Sequence, residues 1–287
     1  MAGSQASFSK DLGVVEESRA DQGVTGNSGV AKCAAHKDAF LTIGESAAPP
    51  PRLDPHSAVF LDVDGTLIEI AARPELVQVP REVPMLIARV SEEREGALAL
   101  ISGRPLAELD RLFQPWRGAA AGLHGVERRR ADGTLHCVHE SAAKAALDRI
   151  RPKLATLARS DSRLIFEDKG GTVALHYRAA PEREAEIRAC AEALQRDAAT
   201  QLRLIVGKMV VEFQPLHVNK GLAIAAFLGE PPFLGRHPVF VGDDTTDEDG
   251  FAEIRRRGGV GVRVGPPRAT AATHSLPSVA AVLAWLG

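Results

Sequence analysis

The segment FLDVDGTL, residues 60–67, decides the fold of this chain. The apolar run from Ala58 to Leu61 is short, continuous and ended by a turn signal, which is typical of a buried strand. Side chains alternate along a strand, so Asp62 and Asp64 point to the same side at its carboxyl end. Two carboxylates at that edge repel each other, and a bound cation would relieve the repulsion. Because ligands of open α/β sheets bind at this edge, the segment indicates a candidate metal-dependent site.

The composition is that of an ordinary globular protein: 287 residues, 45% apolar and 25% charged, with a net charge of -2. This charge favours neither a nucleic-acid nor a membrane partner. The cysteines, Cys33, Cys137 and Cys190, are odd in number and far apart, which disfavours disulfides and a zinc site. The N-terminus lacks the basic start and apolar core of a secretory signal, and no apolar run reaches the about 20 residues that span a bilayer. A reducing cytoplasm fits these features best, and we expect a monomer.

The order of strand and helix patterns predicts the architecture. Residues 1–55 are rich in Ser, Gly, Ala and charge and end in a proline-rich segment, which predicts a disordered or loosely attached tail, with a short docking helix as the alternative. Later strands alternate with helices, which is typical of a doubly wound parallel sheet. Hairpin signals interrupt this alternation. We expect an α/β protein whose Rossmann-like core, residues 56–125 and 216–287, carries an inserted α+β cap domain, residues 126–215.

Four chemically distinctive pieces fall at strand ends or helix starts of the predicted sheet. In chain order they are the pair Asp62 and Asp64, Ser102 in LISGR, Lys220 in NKG, and the acidic run GDDTTDE with Asp243, Asp244 and Asp247. Taken alone, Ser102 is also explained by a helix cap and Lys220 by a solvated helix position. A calcium-binding EF-hand is excluded at the first piece because Phe60 would occupy the first ligand position.

In this order the pieces resemble the motifs of the haloacid dehalogenase superfamily of Mg²⁺-dependent aspartate phosphohydrolases. The resemblance implies that Asp62 attacks phosphorus and forms an aspartyl-phosphate, while Asp64 protonates the leaving group and later activates water. Ser102 and Lys220 would stabilise charge on the phosphoryl oxygens. The metal ligands that it implies are Asp62, the backbone carbonyl of Asp64, and Asp243, with Asp244 and Asp247 in support.

A closer resemblance lies in the segments AGLHGVE, EDKGGTVALHYR, GKMVVEFQP, NKGLAI and VFVGDDTTDEDGF, which look like trehalose-6-phosphate phosphatases of the bacterial type. It covers about residues 57–287 and implies a sugar-phosphate substrate. Paired acids and bases on the cap suit a ligand with many hydroxyls. The implied substrate-binding residues are Gly103, Arg104, His124, Glu167, Lys169, Arg178 and Glu212. The chain departs from the family pattern at Phe213-Gln214, where a Leu-Arg type of pair is expected.

The leading hypothesis is hydrolysis of trehalose 6-phosphate to trehalose and inorganic phosphate, the last step of trehalose biosynthesis. A second hypothesis is a phosphatase acting on sucrose, mannosylglycerate or hexose phosphates, because the cap rather than the core sets substrate choice. A third is a catalytically silent phosphosugar-binding protein. A fourth is a phosphomutase, which would reuse Asp62 but return the phosphoryl group to the sugar.

Overall fold

The computed structural model of the chain describes residues 41–42, 49–71, 76–138 and 141–287, all within one compact unit. Its strands are β1 (Leu41–Thr42), β2 (Ser57–Leu61), β3 (Leu98–Ile101), β4 (Ala119–Gly122), β5 (Glu127–Arg129), β6 (Leu135–Cys137), β7 (Ile165–Asp168), β8 (Val173–His176), β9 (Leu202–Gly207), β10 (Val210–Pro215), β11 (His237–Gly242), β12 (Val260–Val264), β13 (Ala269–Thr270) and β14 (His274–Leu276).

The helices are α1 (Glu82–Glu92), α2 (Leu106–Leu112), α3 (Ser141–Arg159), α4 (Glu184–Ala198), α5 (Lys220–Phe227), α6 (Glu248–Arg256) and α7 (Val279–Leu286). Asn219 and Ser278 cap α5 and α7 by accepting hydrogen bonds from backbone N–H groups of the first turn. Among the described residues, no helix combines the length and the apolar character needed to cross a membrane.

The larger sheet has eight strands in the order β14-β12-β11-β2-β3-β4-β5-β6. The six strands from β14 to β4 run parallel, whereas β5 and β6 are antiparallel. This arrangement confirms the predicted doubly wound parallel sheet. The sequence did not predict β4, because a strand made only of Ala and Gly lacks the branched and aromatic residues by which strands are recognised.

Helices cover both faces of the large sheet. Along β2, Val59 and Leu61 pack on one side with α1, α2 and α7, whereas Ala58 and Phe60 pack on the other side with α5 and α6. All four side chains are fully buried, which explains why this strand is a continuous apolar run rather than an alternating one. Burial of a large side chain such as Phe60 stabilises the fold by about 1.5–3 kcal/mol.

A second, antiparallel sheet has the order β7-β8-β10-β9 and, with α3 and α4, makes up what we call the insert, residues 141–215. One face of this sheet packs on both helices through apolar side chains such as Val173, Leu175 and Val211. The strand period of two residues turns their neighbours, including His176 and Glu212, to the opposite face. That face lines a cavity against the large sheet.

The first predicted hairpin, β5–β6, falls within the predicted cap domain, residues 126–215, but it is not part of the four-stranded sheet. It pairs with β4 and forms the antiparallel edge of the large sheet. Arg128 and Arg130 of this hairpin form ion pairs with Glu230, which follows α5. A turn signal determines which two strands pair locally but not which sheet they join. The predicted domain bounds themselves stay predictions.

Most of the predicted tail, residues 1–40 and 43–48, lies outside the described residues. Its last residues, 49–55, contact the core, which differs from the expected loose attachment. The Trp285 indole donates a hydrogen bond to the Pro51 carbonyl at 3.0 Å, and the Arg94 guanidinium donates one to the Leu53 carbonyl at 3.4 Å. Composition alone does not reveal these partners, because they lie far away in sequence.

Candidate active site

The parallel strands bring the predicted site residues to one edge. Asp62 directly follows β2, Ser102 follows β3 and Asp243 follows β11, and these three strands are neighbours in the sheet. Lys220 is the first residue of α5, which packs on one face of the same sheet. The carboxyl ends of parallel strands are where α/β proteins bind ligands. Residues up to 181 positions apart in sequence, Asp62 and Asp243, are therefore side by side.

A buried lysine joins two of the aspartates. Lys220 Nζ lies 2.6 Å from Asp62 Oδ1 and 2.6 Å from Asp247 Oδ1, and all three side chains are almost inaccessible to solvent. The Thr66 hydroxyl donates to Asp62 Oδ2 at 3.0 Å. Both oxygens of Asp62 are thus held in position by neighbouring donors.

Asp247 is saturated with hydrogen bonds. Besides Lys220, its carboxylate accepts from the backbone N–H groups of Asp243 at 2.9 Å and Asp244 at 2.8 Å. Gly242 leaves room for this contact, since a Cβ there would lie 2.4 Å from Asp247 Cγ. Asp247 therefore fixes the loop that carries Asp243.

Burial and crowding shift the ionisation of this group. Burial raises the pKa of Asp62 well above its usual value and the Asp247 carboxylate adds to the shift, against the opposing effect of Lys220. The pKa of Asp243 is raised to about 6, again by burial first and by Asp247 second. Burial alone would lower the pKa of Lys220, but the Asp247 and Asp62 carboxylates outweigh it and raise that pKa. The lysine is therefore a permanent cation.

Carboxylate oxygens of Asp62, Asp243 and Asp247, the carboxylate cluster, all lie within 4.8 Å of one another. Hard cations such as Mg²⁺ prefer such all-oxygen donor sets. Gly65, with φ of +81°, shapes this place, because a Cβ there would lie 2.3 Å from Asp243 Oδ2. The residues therefore fit a divalent metal.

Asp64 is held apart from the carboxylate cluster. Arg104 donates two parallel hydrogen bonds to it, from Nε to Oδ2 and from Nη2 to Oδ1, each 2.7 Å long. Arg104 also pairs with Glu108 on α2. The two aspartates line the same cavity, as strand alternation predicts, but each has its own basic partner.

Ser102 is buried and its hydroxyl accepts a hydrogen bond from the backbone N–H of Arg104 at 3.1 Å. It shapes the turn after β3 and does not line the cavity. The next residue, Gly103, does line it, and a Cβ there would lie 2.7 Å from His124 Nε2. Glycine therefore permits the close approach of His124, whose backbone has a left-handed φ of +57°.

The insert contributes a polar group above this edge. Lys169 Nζ lies 3.5 Å from both oxygens of Glu212 and 3.7 Å from Glu167, and it reaches the Gly103 carbonyl at 3.3 Å. His176 Nε2 lies 2.9 Å from Glu167 Oε2. We call Glu167, Lys169 and Glu212 the insert triad.

The insert triad is ionised. Burial would raise the pKa of Glu212, but Lys169 and His124, whose Nε2 is 3.6 Å away, lower it below its usual range. The His176 hydrogen bond and Lys169 likewise lower the pKa of Glu167 despite its burial. Both glutamates therefore offer acceptor oxygens near neutral pH.

Arg178 and Lys208 link the insert to the core. Arg178 donates to the Ala71 carbonyl at 2.5 Å and to the Lys208 carbonyl at 3.5 Å. Lys208 Nζ lies 2.5 Å from Asp243 Oδ2. The sequence predicts a hairpin turn at Gly207-Lys208. A turn signal does not indicate that the Lys208 side chain contacts Asp243, a predicted metal ligand.

These groups surround a cavity of about 410 Å³ between the large sheet and the insert. All predicted site residues line it except Ser102 and Asp247, which lie behind its wall. The lining residues that sequence reasoning did not assign include Ile70, Glu108, Arg163, Ile165, His176, Ile205, Lys208 and Val210. We call the part of the wall that carries Asp62, Asp243 and Lys220 the floor; its side chains are buried and charged. We call the part that the insert contributes the roof; it mixes polar and apolar side chains.

The fold has a clear relative among solved structures. The C-terminal domain of a trehalose-6-phosphate phosphatase from C. albicans matches with a TM-score of 0.74 at 20% identity, over 84% of this chain and 97% of that one. At this identity the match shows the fold alone. The chain is thus an α/β protein that shares the fold of this domain, with a second, antiparallel sheet over the carboxyl edge of its parallel one.

The sequence comparisons are more specific. A family model described as trehalose-phosphatase matches residues 60–279. A probable trehalose-phosphate phosphatase of Sinorhizobium fredii is 44% identical over 226 residues, covering 78% of this chain and 84% of the relative. The trehalose-6-phosphate phosphatase of Escherichia coli is 43% identical over 242 residues, covering 84% and 90%. The chain belongs to the trehalose-phosphatase family, which confirms the resemblance found in its sequence.

Proposed function

We propose that this protein hydrolyses trehalose 6-phosphate to trehalose and inorganic phosphate, and is therefore a phosphoric monoester hydrolase. The observation that carries the proposal is one cavity that joins a held aspartate, Asp62, to a triad of charged groups suited to sugar hydroxyls. The names of the relatives in S. fredii and E. coli indicate the particular sugar phosphate.

Asp62 is the nucleophile in this proposal. Lys220 and Thr66 hold its two oxygens at 2.6 Å and 3.0 Å, which fixes the direction of attack. An Asp62 oxygen bonds to phosphorus while the ester bond from phosphorus to the sugar oxygen breaks, leaving an aspartyl-phosphate. Lys220 lies beside the reacting oxygen and stabilises charge on the phosphoryl group. Ser102, which does not line the cavity, acts in this proposal through the turn that presents Gly103 and Arg104.

Asp64 is the acid and base. It gives a proton to the departing sugar oxygen and then takes one from the water that cleaves the aspartyl-phosphate, which returns Asp62 and releases phosphate. Arg104 donates to both Asp64 oxygens and so orients the carboxyl group, and one of these two hydrogen bonds must open for Asp64 to carry the proton that it transfers.

We further infer that the resident metal is Mg²⁺, held by Asp62, Asp243 and the backbone carbonyl of Asp64, with Asp244 and Asp247 in support. When bound, this ion neutralises the repulsion between the phosphate and the carboxylates. Asp247 is given a supporting place because, unlike Asp62, it does not line the cavity, and its oxygens accept from Lys220 and two backbone N–H groups.

The insert triad binds the sugar. Glu167 and Glu212 accept hydrogen bonds from hydroxyls and Lys169 donates to sugar oxygens. His124 orients Glu212, and Gly103 and Arg104 line the passage from the sugar to the phosphate. Arg178 joins the insert to the Ala71 segment and closes the rim.

The test is phosphate release from a panel of trehalose, sucrose, glucose and mannosylglycerate phosphates, with Mg²⁺ and with EDTA. We expect a strong, metal-dependent preference for trehalose 6-phosphate. Metal-dependent release from another sugar would retain the core chemistry and reject the assigned substrate. No release from any of them would favour a silent binding protein, and dependence on a bisphosphate activator would favour a mutase. The domain bounds, monomeric state and cytoplasmic location stay predictions.

A further inference from the structure

Long basic side chains reach from the insert to the core at several places. Lys169 contacts the Gly103 carbonyl, Arg178 the Ala71 carbonyl, Arg203 the Asp249 carboxylate and Lys208 the Asp243 carboxylate. The Arg203 and Lys208 pairs are both 2.5 Å long. They differ in one respect: Asp243 belongs to the carboxylate cluster, whereas Asp249 is on α6 and outside the cavity lining. The Lys208 contact therefore occupies one of the two carboxylate oxygens of a residue in the carboxylate cluster.

The hairpin turn between β9 and β10 holds Lys208 near Asp243. Val210 pairs with Gly207, so the turn has only the two residues Lys208 and Met209. Met209 has a φ of +62°, a left-handed conformation that is unfavourable for a side chain of its size. The Met209 carbonyl accepts from the Tyr177 N–H at 2.9 Å, which fixes the turn against β8.

Lys208 and its partner differ in how freely they can part. The Lys208 side chain is 50% exposed, whereas that of Asp243 is 5% exposed. An ammonium group that remains half in water loses little on leaving such a pair. Lys220, by contrast, is fully enclosed between its two carboxylates. The Lys208 ammonium group can therefore leave Asp243 more easily than Lys220 can leave its two carboxylates.

The charges favour such a movement. The carboxylate cluster, when ionised, carries three negative charges, and Lys220 and Lys208 supply two positive ones. Asp244, which also lines the cavity, adds a further negative charge. A divalent cation bound to Asp243 would compete with Lys208 for that carboxylate, and the ammonium group would then pair with the anionic phosphate of a substrate in the same cavity.

We propose that Lys208 is a phosphate-positioning residue supplied by the insert, which occupies Asp243 while the metal is absent and transfers to the substrate phosphate once a divalent cation holds Asp243. This inference rests on the proposed phosphatase function. It makes the insert a source of phosphate recognition as well as sugar recognition, because the tip of its last hairpin enters the core site.

The test uses Lys208→Met, which keeps the length of the side chain and removes its charge. Lys208→Arg is compared with it, and the control is Arg203→Met, which removes the insert-to-core ion pair between Arg203 and Asp249. Isothermal titration with Mg²⁺ alone comes first. We expect Lys208→Met to bind Mg²⁺ about three- to fivefold more tightly, as loss of a half-exposed competing ion pair implies. Arg203→Met and Lys208→Arg should stay near the parent value.

The second measurement is the binding of inorganic phosphate to the Mg²⁺-loaded protein. Lys208→Met should weaken it about tenfold, the size of one lost charge-assisted hydrogen bond. Lys208→Arg should restore most of it, and Arg203→Met should change nothing. Unchanged or weaker Mg²⁺ binding by Lys208→Met, or unchanged phosphate binding, would overturn the proposal. Neither measurement needs turnover of a sugar phosphate, so failure of the proposed substrate would be recognised separately.

Discussion

The floor and the roof of the cavity are built in opposite ways. On the floor, Lys220 is fixed between Asp62 and Asp247, and every one of these side chains is buried and held by several partners. On the roof, Lys169 contacts its glutamates at 3.5 to 3.7 Å, and Lys208 is half exposed. A charge in a fixed, dry setting has strong and directed effects on chemistry, whereas looser contacts can exchange one partner for another. The floor is therefore suited to chemistry and the roof to recognition.

The largest loss of turnover should come from a substitution on the floor of the cavity. Asp62→Asn removes the nucleophile but keeps the size of the side chain, so turnover of every phosphate ester should fall by at least about a thousandfold. The free energy of unfolding should be unchanged or higher, because Asp62 is a buried carboxylate with a raised pKa. Steady-state kinetics and urea denaturation check the two parts, and retained turnover would remove Asp62 from its role.

A substitution on the roof of the cavity should lower turnover of the sugar phosphate only. Glu212→Gln removes the charge that Lys169 and His124 face, so kcat/KM for trehalose 6-phosphate should fall about 10- to 100-fold, as one or two lost charge-assisted hydrogen bonds imply. Turnover of p-nitrophenyl phosphate, which has no sugar hydroxyls, should stay within about twofold. An equal loss on both substrates would contradict the division between floor and roof.

The affinity for Mg²⁺ should depend on pH, because Asp243 on the floor of the cavity titrates. A protonated carboxyl group is a poor ligand, and the pKa of Asp243 is about 6 in the metal-free protein. Its ionised fraction is therefore high at pH 7.5 and low at pH 5. We expect the dissociation constant for Mg²⁺ to rise by about tenfold or more as the pH falls between these values. Isothermal titration at several pH values measures it, and a constant affinity would place the metal away from Asp243.

The smallest effect should come from the edge of the large sheet, which belongs to neither floor nor roof. Glu230→Gln weakens the ion pairs with Arg128 and Arg130, so the free energy of unfolding should fall by about 1–2 kcal/mol. Turnover should not change. The exposed Glu192→Gln is the matched control and should leave both quantities unchanged. A large loss of activity in Glu230→Gln would mean that the β5–β6 hairpin supports the site.

Much of this molecule follows from local patterns. The apolar run before Asp62 predicts β2, and strand alternation predicts that Asp62 and Asp64 share one cavity. The order of paired Asp, Ser, Lys and an acidic cluster predicts which strand and helix ends meet, because parallel strands end at one edge. Hairpin signals likewise predict β7 to β10, and the spacing of Glu167 and Lys169 puts both on one face.

Other features were decided only by the tertiary structure. The hairpin signal does not show that β5–β6 joins the large sheet through β4, since pairing within a hairpin does not depend on what lies beside it. It assigned Ser102 to the phosphate site, whereas the hydroxyl faces the Arg104 backbone. It gave no reason to connect Lys208 with Asp243. A local pattern determines the direction in which a side chain leaves its own strand. The partner it meets depends on how two sheets are oriented to each other, which is set by packing over the whole chain.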